Sequence, residues 1–208
     1  MIEFFFDCSS PWTYIAFRNI QPLAQELDVP IVWRPVLVGG IFNSVNKAIY
    51  TSREDMHSPR NRYLLKDVKD NAREVGLSIV FPPKVFPVNS VKAMRGCLWM
   101  AQDAVAKGGY LRFIEEIFAA YFSREEDISQ DSVLAAICNH VGVDAEAFLQ
   151  GITRPDIKEQ LKTNTEEAIQ RGAFGSPTFF VGEDMYFGND RLSLVRSAVL
   201  RSRDLNFN

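Results

Sequence analysis

The sequence predicts an α/β fold in which segments from both ends of the chain share one sheet, with helices inserted between them. An apolar run over residues 1–6 is followed by helical spacing up to Leu27 and by a second apolar strand over residues 29–37. Near the C-terminus, residues 178–181 and 185–187 form a hairpin ahead of a last amphipathic helix. Neither end can bury its apolar faces alone, so both contribute to one core.

The middle of the chain is predicted to be helical. Gly39 and Gly40 break the strand pattern, and the polar stretch after them predicts a loop over residues 41–59. Helical periodicity and capping residues then predict six helices, over residues 59–76, 89–107, 109–122, 130–141, 144–149 and 155–172. We therefore expect an inserted loop and helical domain over residues 41–171, flanked by one two-part domain over residues 1–40 and 172–208.

The composition excludes several classes of function. The 208 residues are 47% hydrophobic, which is typical of a soluble globular protein with a substantial core. The net charge of -3 and the absence of a long Lys/Arg run argue against nucleic-acid binding. No apolar run approaches the roughly 18 residues of a membrane span. The N-terminus begins with strand residues instead of a basic segment, so we expect no signal peptide.

Cysteines and histidines give little sign of a metal or disulfide framework. Cys8, Cys97 and Cys138 are odd in number and widely spaced, which fits a reducing, cytoplasmic compartment. The favoured interpretation is that they are small buried hydrophobic residues, although the position of Cys8 leaves a minor reactive role open. His57 and His140 lack partners at metal-ligand spacing, so we expect no metal site.

The turn over Asp7–Thr13 carries the candidate site. Ser10 stands where a helix N-cap is expected, with Pro11 at the first helical position. A hydroxyl there lies beside unpaired backbone N–H groups at the positive end of a helix, which suits an anion such as a thiolate. From this stretch alone, a plain helix cap remains the favoured interpretation.

The chain resembles the thioredoxin fold with a helical insertion, and within it the branch of 2-hydroxychromene-2-carboxylate isomerases and kappa-class glutathione transferases. The matching motifs occur in the expected order, at Asp7–Tyr14 (DCSSPWTY), Trp33–Lys47, Asn89–Arg95 (NSVKAMR), Gly172–Thr178 (GAFGSPT) and Phe187–Arg191 (FGNDR). At the position of a redox Cys-x-x-Cys pair, this chain has Ser10 and Thr13. Disulfide exchange needs thiols there, so we do not expect a DsbA-like oxidoreductase.

The resemblance implies glutathione as the cofactor. Ser10 matches the serine that hydrogen-bonds the glutathione sulfur, and such a donor lowers the pKa of the thiol. Pro177 would be a cis-proline that leaves the backbone of Ser176 to pair with the glutathione peptide. The family's other glutathione-binding positions fall on Asn46, Phe187, Gly188, Asn189 and Asp190, of which the last two hold the γ-glutamyl end. With the resemblance added, a functional Ser10 is the favoured interpretation.

The family reaction converts 2-hydroxychromene-2-carboxylate to trans-o-hydroxybenzylidenepyruvate, as in aromatic-compound catabolism. We expect the glutathione thiolate to add to the unsaturated ketone exposed by ring opening, so that the former double bond rotates before elimination restores it. Ser10 then stabilises the nucleophile. Lys47 is a candidate donor to the substrate carboxylate, although a solvated loop lysine is the plainer interpretation. The resemblance also implies a homodimer.

Two alternatives remain open. A kappa-type transferase or peroxidase would use the same glutathione site, and residues 123–136 and 157–175 also resemble kappa-class sequence. The difference is expected in a second-substrate pocket between the predicted loop over residues 41–59 and the inserted helices. A non-catalytic glutathione-binding module is the second alternative, since fold alone does not decide function.

Overall fold

One mixed sheet joins the two ends of the chain. The structure is a computed structural model that describes residues 1–52, 58–102 and 109–204. Its four-stranded sheet has the order β2-β1-β3-β4, formed by β1 (Ile2–Phe6), β2 (Ile31–Pro35), β3 (Thr178–Val181) and β4 (Asp184–Phe187). Strand β1 pairs parallel with β2 and antiparallel with β3, and β3 pairs antiparallel with β4. The predicted α/β class, with two terminal halves sharing a sheet, is confirmed.

Helices surround this sheet. Helix α1 (Pro11–Glu26) connects the parallel strands β1 and β2. The helices between β2 and β3 are α2 (Val38–Val45), α3 (Ala48–Ser52), α4 (Pro59–Glu74), α5 (Val91–Gln102), α6 (Tyr110–Phe122), α7 (Asp131–Val141), α8 (Ala145–Gly151) and α9 (Pro155–Gln170). After β4, a 3-10 turn (Asn189–Arg191) leads into α10 (Leu192–Asp204). Within the described ranges, no helix is both long and apolar enough to cross a membrane.

The predicted loop over residues 41–59 is wrong over most of the part that the structure describes, because α2 occupies residues 38–45 and α3 occupies residues 48–52. Gly39 and Gly40 lie inside α2 instead of ending regular structure. The start of α2 is stabilised by distant side chains: Val38 N–H donates to Asp7 Oδ2 at 2.8 Å, and Leu37 N–H donates to Thr165 Oγ1 at 3.0 Å. His57 and the predicted end of the α5 helix near residue 107 lie outside the described residues.

The core is continuous between the sheet and the inserted helices. Phe4 of β1 stacks on Phe179 of β3, with ring centroids 4.6 Å apart. Tyr14 of α1 stacks on Phe118 of α6 at 4.7 Å. On the other face of the sheet, Phe5 packs in a smaller cluster that includes residues of α2 and α9. Strand β1 is therefore covered on both faces, as its almost wholly apolar sequence predicts.

Candidate active site

Ser10 begins α1 as the sequence predicts. Its Oγ accepts a hydrogen bond from Thr13 N–H at 3.2 Å, and the hydroxyl donates to the carbonyl of Ser176 at 3.1 Å. Pro11 has no N–H, and the N–H of Trp12 has no acceptor within the described residues. One backbone donor therefore remains beside the Ser10 hydroxyl, at the positive end of a 16-residue helix.

The segment before β3, which contains Ser176 and Pro177, packs against the turn that precedes α1. The peptide bond between Ser176 and Pro177 is cis, as the resemblance implied. Ser176 Oγ lies 2.8 Å from Thr13 Oγ1 and accepts from Asp7 N–H at 3.1 Å. The carbonyl of Ser176 is engaged by Ser10, while its N–H has no acceptor in the part of the chain that the structure describes. Folding thus brings together two serines that are 166 positions apart in the sequence.

Asp7 organises the walls of the site, a role that the sequence interpretation missed. Its side chain is fully buried and accepts from Ser9 N–H at 2.9 Å, from Val38 N–H at 2.8 Å and from the Ser90 hydroxyl at 3.0 Å. One carboxylate therefore connects the turn before α1, the start of α2 and the residue before α5. An acidic residue directly after a buried strand was the available sequence signal.

Burial gives Asp7 a predictable effect on stability. Burial raises the pKa of its carboxyl above the ordinary value of 3.8, although hydrogen bonds from Ser9, Val38 and Ser90 oppose the rise. The folded protein then holds a proton that the unfolded chain releases, so the free energy of unfolding falls as pH rises above about 3.8 and levels off above the folded-state pKa.

We expect Asp7→Asn, which cannot ionise, to lack this contribution. The wild type should lose stability relative to the variant as pH rises through that window, measured by urea unfolding from about pH 4 to 8. Asp70→Asn is the control, because the hydrogen bond from Lys66 lowers the pKa of this exposed carboxyl. Its residual pH effect has the opposite sign. A wild type that gains stability relative to Asp7→Asn as pH rises would contradict the assignment.

Ser10 and Ser176 open onto a cavity of about 720 Å³. Its walls come from α2, α3, α4 and the segment before α5, so it lies where the second-substrate pocket was expected. Asn46, at the C-terminal end of α2, lines it and donates from Nδ2 to the Phe174 carbonyl at 3.1 Å. The lining is rich in aromatic rings: Trp12, Phe42, Tyr50, Tyr63, Phe81, Phe86, Tyr121, Phe174 and Phe187. Such a surface suits a flat, apolar ligand.

Phe187 lines the cavity, where its ring packs closely against the backbone of Gly175. Its ring centroid lies 4.4 Å from that of Phe174, and a Cβ atom on Gly175 would come within 2.8 Å of the Phe187 ring. Gly188 N–H donates to the Pro177 carbonyl at 3.0 Å and attaches the end of β4 to the segment before β3.

The remaining predicted residues lie beside the cavity and do not line it. Asn189 Oδ1 accepts from Asn19 Nδ2 at 2.9 Å, so it is bound to α1. Asp190 is exposed and forms an ion pair with Arg191. Lys47 is exposed and is not among the residues that line the cavity. The structure therefore brings Ser10, Asn46, Ser176 and Phe187 to one cavity. Four other predicted residues are near this site in sequence but do not line the cavity: Pro177, Gly188, Asn189 and Asp190.

Gly188 has a backbone conformation that other residues avoid, with φ of 101° and ψ of 151°. We expect Gly188→Ala to lower the free energy of unfolding by about 1–3 kcal/mol, because this region is almost restricted to glycine. The added Cβ would also lie 2.6 Å from Asp190 Oδ1. Urea unfolding is the measurement. Gly39→Ala is the control, since a Cβ there meets no atom within 4 Å and alanine favours a helix. Equal stability changes in both variants would contradict this expectation.

The described residues offer no group of three His, Cys, Asp or Glu side chains that could hold a metal ion. Cys8, Cys97 and Cys138 are free and buried, as the sequence predicts. Burial, with Cys97 and Asp7 nearby, raises the pKa of the Cys8 thiol well above its ordinary value. The backbone N–H of Cys8 also contacts Met94 Sδ at 3.3 Å. Cys8 therefore stays a protonated, structural thiol beside the site.

Known proteins resemble this chain over nearly all of its length. A 2-hydroxychromene-2-carboxylate isomerase of Pseudomonas putida is 27% identical over 201 residues, covering 97% of this chain and 95% of that protein. Glutathione S-transferase kappa 1 of Homo sapiens is 28% identical over 206 residues, covering 93% and 88%. A solved 2-hydroxychromene-2-carboxylate isomerase structure matches with a TM-score of 0.77 at 27% identity, covering 99% and 97%.

These relatives confirm the resemblance that the motifs indicated, and their names are those of isomerases and glutathione transferases. The family model of the DSBA-like thioredoxin domain matches residues 1–200. The sheet order and the position of the inserted helices agree with that match. The chain belongs to the family of DSBA-like thioredoxin domains.

Proposed function

We propose that this protein is a glutathione-dependent isomerase that converts 2-hydroxychromene-2-carboxylate to trans-o-hydroxybenzylidenepyruvate, as in aromatic-compound catabolism. The observation that carries the proposal is the Ser10 hydroxyl, which caps a helix and faces an aromatic-lined cavity of about 720 Å³. The relatives that are named as isomerases support the reaction type. Neither end of the Ser10–Thr13 segment is a cysteine, so the chain's own residues there do not supply a reactive sulfur.

The donors at the site fit glutathione. The N–H groups of Trp12 and Ser176 have no acceptors within the described residues. Trp12 N–H is therefore available to a thiolate, and Ser176 N–H is available to a peptide carbonyl. The exposed carboxylate of Asp190 is available to an ammonium group, in competition with Arg191. Asn46, Phe187, Gly188 and Asn189 would complete the binding site around the peptide, with Pro177 holding the backbone of Ser176.

When bound, glutathione supplies a thiolate that adds reversibly to the unsaturated ketone, so that the carbon–carbon bond rotates before the double bond returns in the trans form. In the structure, the Ser10 hydroxyl donates a hydrogen bond to the Ser176 carbonyl. Rotation about the Cβ–Oγ bond of Ser10 would turn this hydrogen bond toward a sulfur near the helix N-terminus. The hydroxyl, Trp12 N–H and the helix dipole then all favour the thiolate over the thiol. The aromatic walls exclude water from the reacting bond.

A kappa-type glutathione transferase or peroxidase is the second candidate function. Its support is the 28% identity to Glutathione S-transferase kappa 1 of Homo sapiens, which nearly equals the identity to the isomerases. The Ser10 site would serve both reactions equally. The two candidates therefore differ in what the cavity accepts, and assays with a chromene carboxylate and with a chlorodinitrobenzene-type electrophile separate them.

Calorimetric titration of glutathione into the wild type and into Asp190→Ala tests the cofactor. We expect binding near neutral pH that weakens severalfold in the variant, because an exposed carboxylate–ammonium contact contributes modestly. Asp184→Ala is the control, since it removes an exposed carboxylate at the start of β4, whereas Asp190 lies in the 3-10 turn after that strand. Absence of binding to the wild type would remove glutathione from the mechanism and return Ser10 to the role of a helix cap.

A further inference from the structure

The cavity beside Ser10 has an uneven distribution of charge. Among the described residues that line it, Arg60 is the one cationic side chain and Asp67 the one anionic side chain. The other lining residues are apolar or neutral. An anionic group on a ligand therefore has a single cationic partner in this lining.

Arg60 is placed to receive an anion from the cavity. It lies in the first turn of α4, after the N-cap Ser58 and Pro59, so the positive end of a 16-residue helix adds to its charge. Its side chain is exposed and forms no ion pair with any carboxylate in the described ranges. A guanidinium in this state can bind a carboxylate through two parallel hydrogen bonds without first breaking an existing pair.

Asp67 makes one end of the cavity unfavourable for an anion. It lies seven residues after Arg60, which places it about two turns and about 10 Å further along the same face of α4. Asp67 Oδ1 already accepts from Asn71 Nδ2 at 3.0 Å. Its carboxylate repels an anion, so a negatively charged ligand has its favourable position at the Arg60 end of the helix.

We propose that Arg60 binds the carboxylate of the second substrate and gives the cavity its preference for flat, aromatic carboxylic acids over neutral aromatic compounds. This inference rests on the proposed function, and it adds the residue that recognises the substrate's charge. The aromatic walls hold the ring, while Arg60 fixes the end of the molecule that carries the acid. Arg60 thereby takes the role for which Lys47 was a candidate from the sequence.

The test uses two probes that differ only in charge, trans-cinnamate and its neutral amide. Their affinities are measured by calorimetry for the wild type, Arg60→Gln, Arg60→Lys and Arg62→Gln. Arg62 is the matched control: it is an exposed arginine two positions away on α4, and it does not line the cavity. We expect the wild type and Arg62→Gln to prefer the acid about tenfold. Arg60→Gln should abolish this preference, and Arg60→Lys should keep part of it.

An acid preference in Arg60→Gln equal to that of the wild type would overturn the inference. In that case, comparing glutathione with its glycine amide in both proteins shows whether Arg60 binds the glycyl carboxylate of glutathione instead. Neither probe needs to react, so failure of the proposed isomerisation is seen separately. A protein that prefers cinnamate through Arg60 but converts no chromene supports the binding role and contradicts the proposed reaction.

Discussion

Ser10→Ala is expected to lower glutathione-dependent turnover about 10- to 100-fold near neutral pH. This range corresponds to the loss of one hydrogen bond to a charged group. The variant keeps the helix and Trp12 N–H, which leaves part of the electrostatic stabilisation in place. Steady-state assays with the chromene carboxylate, at saturating glutathione, measure the loss.

The pH profile of Ser10→Ala separates thiolate stabilisation from a general structural defect. A hydroxyl donor lowers the pKa of the bound thiol, so its removal raises that pKa. The acid limb of kcat/KM should therefore move to higher pH, and the defect should become smaller in alkaline solution. A uniform loss at every pH would indicate damage to the site. Unchanged turnover would exclude the proposed role of Ser10.

Controls for this variant follow from the helix caps. Ser10→Ala also removes the cap that accepts from Thr13 N–H, at a cost of about 1 kcal/mol. Asp144→Ala removes the cap of α8, where Asp144 accepts from the N–H groups of Glu146 and Ala147. It should cost similar stability and leave turnover unchanged, since α8 contributes nothing to the cavity lining that is described. Ser10→Thr, which keeps a hydroxyl, should retain most of the activity.

Phe4→Ala is expected to lower the free energy of unfolding by about 3–5 kcal/mol, the largest effect on stability among these predictions. Phe4 is fully buried in β1, between the strands that carry its ring neighbours. Its ring lies 4.6 Å from that of Phe179 and 5.5 Å from that of Trp33. Truncation leaves a cavity at the centre of the sheet, where neighbouring strands cannot move in to fill it.

Urea unfolding monitored by circular dichroism measures this loss. Leu194→Ala is the control, because 49% of Leu194 is exposed on α10 and its truncation should cost less than about 1 kcal/mol. Phe4→Leu should fall between the two, since it keeps most of the apolar volume. A loss below about 1 kcal/mol in Phe4→Ala would mean that the sheet centre rearranges around the missing ring.

Local patterns in the sequence determined most of the regular elements. The apolar run before Asp7 specifies a buried strand because its side chains suit both faces of a covered sheet. Ser10 and Pro11 specify the start of α1 because a cap and a proline satisfy the first turn without distant partners. The order of these elements, together with the motifs at residues 172–178 and 187–191, was sufficient to predict the fold.

The tertiary structure alone decided the shape and charge of the candidate site. At the start of helix α2, the N–H groups of Leu37 and Val38 donate to the side chains of Thr165 and Asp7, and no local pattern contains that information. The same holds for Asp7, which connects segments 31 and 83 positions away, and for Arg60, whose place in the cavity depends on how α4 packs. Capping and periodicity act between neighbouring residues, whereas a cavity is formed by contacts across the chain, so only folding determines which polar groups meet there.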